Sequence, residues 1–390
     1  MKDGEYCMTM LDSEEGDSFF LEFGFDSKTY TMLIDTGPVK CWTDKLKPFL
    51  DFLISKNKKI NVLIITHIDN DHIGGAIEMF QYEEYSELVE EVWFNGLNQI
   101  LNIYNDNREC DNQLAYKRII FQHQHNDFLD GIRDISANQA ISLSSLLTNR
   151  GKNTKRITYD TPTMIFTDNF RIDFLLPTET HLLSLQNYFL NHLQNVGDVK
   201  QISLTTEGEI AFEHLMRDDD IVNMDIHQIS KSTLDIGQIE KWAEAKAAKD
   251  QSVTNASSIV ICITFYGEHL LFCGDATGQD IIEAIDNKKL PTDYEIIKLP
   301  HHGSNRNCLS MPGKLNGKTY LISTNSKKNS HPGKETLAKL VTSPTKETRH
   351  IVFNYCSPIF ELFHNTWYED KYNYDAVVST IITNKKEDII

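Results

Sequence analysis

Residues 63–75 read LIITHIDNDHIGG, with His67, Asp69, Asp71 and His72 crowded into six positions directly after an aliphatic run. Carboxylate and neutral imidazole are good ligands for divalent ions, and a mixed set suits Zn, Mn or Fe. The aliphatic run reads as a strand, so the four side chains stand where a strand ends and a helix begins. α/β proteins bind their ligands in the crevice above such strand ends. The tight IDND turn lets neighbouring side chains converge on a small site from different sides. Gly74 and Gly75 then start the helix with residues small enough for close backbone packing. One cluster leaves coordination incomplete, so further ligands are expected at other strand ends. LLFCGDATG places Asp275 just past an apolar strand, and EIIKLPHHGS places His301 and His302 past the next. Cys262 and Cys273, in the apolar text before Asp275, read as core thiols and not as ligands.

These residues need a scaffold, and alternation supplies it. SFFLEFGF and TYTMLIDTG read as paired strands, followed by a helix at TDKLKPFLDFLISKN and a strand at INVLIIT. AIEMFQYEEYSELVEE has helical spacing and EVWFNG reads as a strand. A helix at ANQAISLSSLLTNRG stops on a glycine, and MIFTDNFRIDFLLP reads as a hairpin. Residues 178–252 turn polar and helical and read as an insertion within a single domain spanning 1–390, because strand text resumes at SSIVICITFYGEHLLFCGDA. The strands YEIIKLP and TYLIST and the helix GKETLAKLV complete an alternating pattern, which implies a layered α/β protein.

Composition narrows the classes. Hydrophobic residues make up 40% and charged residues 24% of the 390, which excludes wholesale disorder. No apolar run approaches the roughly 18 residues of a membrane helix, and MKDGEYCMTMLDSEEGD lacks the apolar segment of a signal peptide. Seven cysteines without a CxxC pair suit a reducing compartment. A cytoplasmic protein without a membrane partner is expected. The net charge of −18 and pI near 5.2 argue against a general nucleic-acid coat. Yet Lys298–Arg349 carries ten Lys or Arg against Glu335 and Glu347, a local +8 with −26 elsewhere. That segment reads as an anion-facing rim, or alternatively as a solvated surface.

In order along the chain, HIDNDHIGG, the GD ending at Asp275 and PHHGS resemble the metallo-β-lactamase superfamily. Asp69 stands where most members carry His, and in this the chain resembles the soluble hydrolase domain of the ComEC/Rec2 competence proteins. LDSEEGDSFFLEF is similar to that family's opening GD-strand motif and LIDTG to its Asp-containing second strand. NASSIVI is similar to its NxxS strand, and LISTNSKKNSHP to its late His-Pro segment. The likeness covers roughly 1–85 and 253–340, and 100–250 carries no recognised motif. It implies a four-layer αββα sandwich with a largely helical insertion and a two-metal site. His67 and Asp69 would serve one ion, Asp71 and His72 the other, with Asp275 bridging both. One of the His301–His302 pair would complete the second site; His302 is favoured as the ligand and His301 as a substrate-side group. Asp35 would orient a ligand by hydrogen bond. Many members use a further His before the GD; His181 is the one candidate here. His331 in NSHPGK would contact a phosphate or hold the His pair, or would only begin a helix.

Two divalent ions can acidify a water and stabilise the attacking and leaving oxygens of an in-line displacement. The Asp69 carboxylate makes the first site harder and shifts preference from Zn toward Mn or Mg. The expected function is therefore a metal-dependent phosphodiesterase or nuclease acting on DNA or another nucleic acid. Asp71, His301 and His331 are the catalytic candidates, and Arg306, Lys327, Lys328 and Lys334 would receive phosphates. Two alternatives stand beside it. Acyl or lactone hydrolysis needs an apolar pocket, and a catalytically weak binding subunit of a nucleic-acid-processing or defence complex needs lost ligands. A protein partner or a homo-oligomer is compatible with all three.

Overall fold

Strand-forming residues assemble two sheets in this computed structural model, which describes residues 1–101, 142–196, 206–217, 237–327 and 331–385. The first sheet holds β1 (Tyr6–Met10), β2 (Phe19–Phe25), β3 (Lys28–Ile34), β4 (Ile60–Ile64), β5 (Val89–Trp93) and β6 (Thr154–Lys155) in that order. The second holds β7 (Met164–Thr167), β8 (Phe170–Leu176), β9 (Val260–Phe265), β10 (Glu268–Phe272), β11 (Asp293–Lys298), β12 (Asn316–Ile322), β13 (Arg349–Phe353) and β14 (Tyr374–Val378), again in order. A last strand, β15 (Ile381–Thr383), returns to pair antiparallel with β1, Cys7 opposite Thr383.

Period-two burial explains why the sheets stack. Met32 and Ile34 of β3, and Val62 and Ile64 of β4, point into a core shared with Ile261, Ile263, Ile296 and Leu321 of the other sheet. The intervening Leu33 and Leu63 point the other way, onto Leu50, Leu53 and Ile73 of the covering helices. On the second sheet Cys262, Leu271 and Ile297 face outward onto Ile281, Ile285 and Leu337. Each fully buried aliphatic contributes about 1.5–3 kcal/mol, so both faces of both sheets must be covered. The result is four layers, helix–sheet–sheet–helix, as expected. Cys262 and Cys273 are buried core thiols, also as expected.

Several local readings hold with adjusted bounds. The helix expected from Thr43 begins as a π-turn at Trp42–Leu46 and becomes regular at Lys47–Ser55, with Pro48 in its first turn, where its missing N–H costs nothing. The stretch after the HIDND turn is two helices, Asn70–Met79 and Glu83–Ser86. Leu143–Asn149 is the described part of the helix expected to stop at Gly151; the rest of that reading, residues 137–141, lies outside the described residues. Met164–Thr167 and Phe170–Leu176 form the expected hairpin. Within 178–252 the described residues form helices at Glu179–Val196, Thr206–Arg217 and Gln238–Ala243. The first two pack Leu185, Phe189 and Phe212 onto the helical layer of the first sheet, and the third packs Ile239 onto the second. No described helix is long and apolar enough to cross a membrane.

Candidate metal centre

Parallel pairing carries the functional residues to one edge. β3 and β4 run parallel, so Asp35 and the His67–His72 turn leave the first sheet side by side. β10, β11 and β12 run parallel in the second, so Asp275, the His301–His302 pair and Ser323 leave it together. Backbone bonds join the two sets of ends: Ile259 N donates to Thr66 O at 2.8 Å and Asp17 N to Asp71 O at 3.3 Å. Ser323 Oγ donates to Gly16 O at 2.7 Å.

Asp275 Oδ2 is the point of convergence. It lies 3.4 Å from His72 Nε2, 3.7 Å from His302 Nε2, 3.8 Å from His301 Nε2 and 4.0 Å from His67 Nε2. Asp69 Oδ2 is 3.2 Å from His67 Nε2, and Asp71 Oδ2 is 3.2 Å from His302 Nε2. Among the described residues, ligand atoms gather within 4.8 Å in the sets His67–His72–Asp275 and Asp71–His72–His302. A third set, Asp17–Asp35–His72, uses the face of His72 that Asp35 already occupies.

The other nitrogen of each imidazole fixes its direction. His302 Nδ1 meets Ser323 O at 2.8 Å, and a carbonyl can only accept. His72 Nδ1 meets Asp35 Oδ2 at 2.8 Å. His67 Nδ1 meets Thr66 Oγ1 at 3.0 Å, and that hydroxyl spends its own proton on Asp35 Oδ2 at 2.7 Å. All three rings therefore donate at Nδ1 and aim Nε2 at Asp275, the arrangement metal-bound histidines adopt. The Nε2 atoms of His67, His72 and His302 are buried without a hydrogen-bond partner. Leaving such a group unpaired costs about 1–3 kcal/mol each, and a divalent cation removes that cost. The donor set fits divalent ions.

Backbone geometry is adapted to this crowding. Asp35, His301 and His302 all have positive φ, at 56°, 47° and 52°. For residues other than glycine this costs of order 1–3 kcal/mol each, and such strain collects at functional sites. A Cβ at Gly75 would lie 2.3 Å from Thr36 O, which is why the helix after the HIDND turn starts on small residues. A Cβ at Gly16 would lie 1.9 Å from Asp71 O, so only glycine lets the Asp17 turn press onto the cluster.

Buried charges act strongly on one another here. Burial and then His72 push His67 down to about 4. For His302, burial alone would lower the value, but Asp275, Asp17 and Asp71 outweigh it and raise it to about 10. His72 is raised as well, burial being overcome by Asp275, Asp35 and Asp71. Burial, then the Asp71 charge, raises Asp69 well above the ordinary carboxylate range. Burial works against ionisation of Asp275 too, but His72, His302 and His301 hold its carboxyl well below that range.

The sequence-derived candidates divide clearly. His67, Asp69, Asp71, His72, Asp275 and His302 come together, with Asp35 behind His72. His301 sits to one side, partly exposed, with Nδ1 3.1 Å from Asn307 Oδ1 and its ring 4.8 Å from that of His331. His181 is elsewhere, against Asp280 and Thr178, and belongs to none of the three sets. Arg306 and Lys327 are exposed, Lys334 lies over the Trp242 ring at 5.0 Å, and Lys328 lies outside the described residues. The basic rim needs correction: Lys298 and Arg349 are 1% and 2% exposed. Lys298 is bonded to Asp17, and Arg349 donates to Leu340 O at 2.6 Å, so neither can receive a substrate. A charge count along the chain does not register burial.

Sequence reasoning passed over Asp17, whose GD signal was noted only as a motif, and Asp250, which has no motif. Asp250 Oδ2 accepts from Asn255 Nδ2 at 2.7 Å and Asn307 Nδ2 at 3.1 Å, bracing the pocket of His301.

Residues 14–95, which include Asp17, Asp35 and His67–His72, match the family model of the metallo-beta-lactamase superfamily. The two-sheet, four-layer arrangement of the described residues is consistent with the metallo-β-lactamase fold. An alignment 93 positions long, covering 20% of the chain and 12% of the relative's length, is 34% identical to ComE operon protein 3 of Bacillus subtilis (strain 168). The ComEC-like resemblance of the motifs is borne out to that extent. The metallo-β-lactamase fold protein YhfI from Bacillus subtilis aligns over 98% of this chain and 100% of its own, at TM-score 0.36 and 9% identity. Zn(2+)-bound PqqB from Methylobacterium extorquens aligns over 97% and 99%, at 0.40 and 8%.

Proposed function

We propose that the chain is a metal-dependent phosphodiesterase of the cytoplasm whose substrate is DNA or another nucleic acid. The observation that carries this reading is Asp69, a carboxylate buried in the cluster with Oδ2 3.2 Å from His67 Nε2. With Asp71 and Asp275 it makes the donor set rich in hard oxygen, which favours Mn or Mg beside Zn, and such ions pair with phosphates.

His67, Asp69 and Asp275 would hold one ion, and Asp71, His72, His302 and Asp275 a second. Bound there, divalent ions polarise a phosphoryl oxygen and make water a stronger nucleophile at neutral pH. Asp35 keeps His72 Nδ1 occupied and Nε2 aimed inward. His301, held at Nδ1 by Asn307, would carry a proton at Nε2 for the leaving oxygen, with the His331 ring steadying it from behind. Arg306, exposed on the short helix Asn305–Cys308 after β11, and Lys327, exposed on the loop after β12, would receive flanking phosphates.

The test is a comparison of single-stranded and double-stranded DNA with nitrocefin and a lactone, each with Mn, Mg and Zn. Metal-dependent DNA cleavage is expected. Turnover of the lactone or nitrocefin with inert nucleic acid would assign acyl hydrolysis instead.

A further inference from the structure

Lys298 ends β11, directly before the His pair, and is 1% exposed. A lysine is rarely buried so completely unless its charge is matched. Its ammonium is bonded to Asp17 Oδ2, donates to Gly274 O at 3.0 Å and lies 3.7 Å from Asp275 Oδ1. The Asp275 carboxylate is therefore divided: Oδ2 faces four imidazole Nε2 atoms, and Oδ1 faces the ammonium. Asp17 is divided too, with Oδ1 3.3 Å from His302 Nδ1. The proposed chemistry uses neither Lys298 nor Asp17, yet both are buried against the cluster.

We propose that Lys298 is a resident counter-ion of the metal centre, which leaves Asp275 to the metals through Oδ2 alone and sets how tightly divalent cations are held. The inference rests on the reading that the cluster binds such ions. Asp17, Asp35, Asp69, Asp71 and Asp275 are packed around a few imidazoles. Without an internal cation this acidic surplus would hold divalent ions more tightly and fold less well without them. An ammonium on the far side of Asp275 repels incoming cations and stabilises the metal-free pocket. Both effects follow from one charge and its position.

The experiment measures Mn affinity by calorimetry and melting temperature with and without Mn. The proteins are the wild type, Lys298→Met, Asp17→Asn and the double variant. Loss of Lys298 is expected to tighten Mn binding at least tenfold, to lower the melting temperature of the metal-free protein and to enlarge the rise Mn produces. Asp17→Asn, which leaves the ammonium opposed by Asp275 Oδ1 alone, is expected to weaken binding at least tenfold. The double variant removes one charge of each sign and should return to within about threefold of wild type, since a matched buried pair is replaceable. If Lys298→Met does not fold, the double variant against Asp17→Asn reads the same step, and tightening is again expected. Unchanged or weaker binding on loss of Lys298 overturns the inference, because a lysine that only supports the fold cannot tighten it. A wild type that takes up no divalent ion overturns the underlying reading as well, and that outcome is visible before any variant is compared.

Discussion

His302 Nε2 stands 3.2 Å from Asp71 Oδ2, although one residue follows β11 of the second sheet and the other follows β4 of the first. The contact exists only when the two sheets are stacked with their strand ends aligned. The apolar core between the sheets, from Met32 and Val62 to Ile296 and Leu321, therefore supports the site as well as the fold.

The same contact separates the roles of the two adjacent histidines. His302 is buried with Nε2 among the ligand atoms, whereas His301 is partly exposed and belongs to none of the ligand sets. His302→Ala should lose one of two metal ions per chain. His301→Ala should keep both and lower turnover by about 100-fold or more. Elemental analysis alongside kcat decides the assignment, and metal loss in His301→Ala with full loading of His302→Ala would exchange the two roles.

Proton competition should govern metal uptake. His302 is raised to about 10, and His72 is raised also, so both hold protons at neutral pH in the metal-free protein. Binding must release those protons, and affinity should rise with pH until about 10. The stability contribution runs the other way. A raised histidine stabilises the metal-free fold fully below its ordinary value near 6.5, and that contribution is lost as pH rises toward about 10. Calorimetry in buffers of different ionisation enthalpy should show net proton release at pH 7; a buffer-independent heat would contradict it.

Substrate binding should depend on where a lysine sits and not on the segment's total charge. Lys327 is exposed beyond the C-terminal end of β12, while Lys318 lies near its start and is paired with Glu295 at 3.1 Å. Lys327→Ala should weaken DNA binding and flatten its salt dependence by a slope of about 0.7 to 0.9. Lys318→Ala should leave both unchanged. Binding measured at several ionic strengths checks this, and equal effects of the two substitutions would mean that only bulk charge matters.

Much of the site was legible because ligand chemistry restricts both residue type and position. His67, Asp69, Asp71, His72, Asp275 and the His301–His302 pair could be placed at strand ends from the residues, with His302 favoured over His301 only by the family resemblance, and Gly75 from the need for a close helix start. Alternation pointed to a layered α/β protein and the family resemblance to its αββα order; in the structure the consecutive Met32, Leu33 and Ile34 face different layers. What escaped depends on partners distant in sequence. Pairing of Cys7 with Thr383 joins the two ends of the described chain and leaves no local periodicity. Lys298 looked like a surface cation because its partner Asp17 comes from the opening turn of the other sheet. Asp250 acts through Asn255 and Asn307, a relation no spacing encodes.

The account stands most directly on Asp275, the one carboxylate that every imidazole of the cluster faces. Purified wild-type protein loaded with Mn or Zn should contain about two ions per chain on the two-metal arrangement, and Asp275→Ala should retain essentially none. Elemental analysis of the two proteins, with circular dichroism confirming that the variant is folded, makes the comparison. Stoichiometric loading of Asp275→Ala, or a wild type that takes up no metal, would contradict the account.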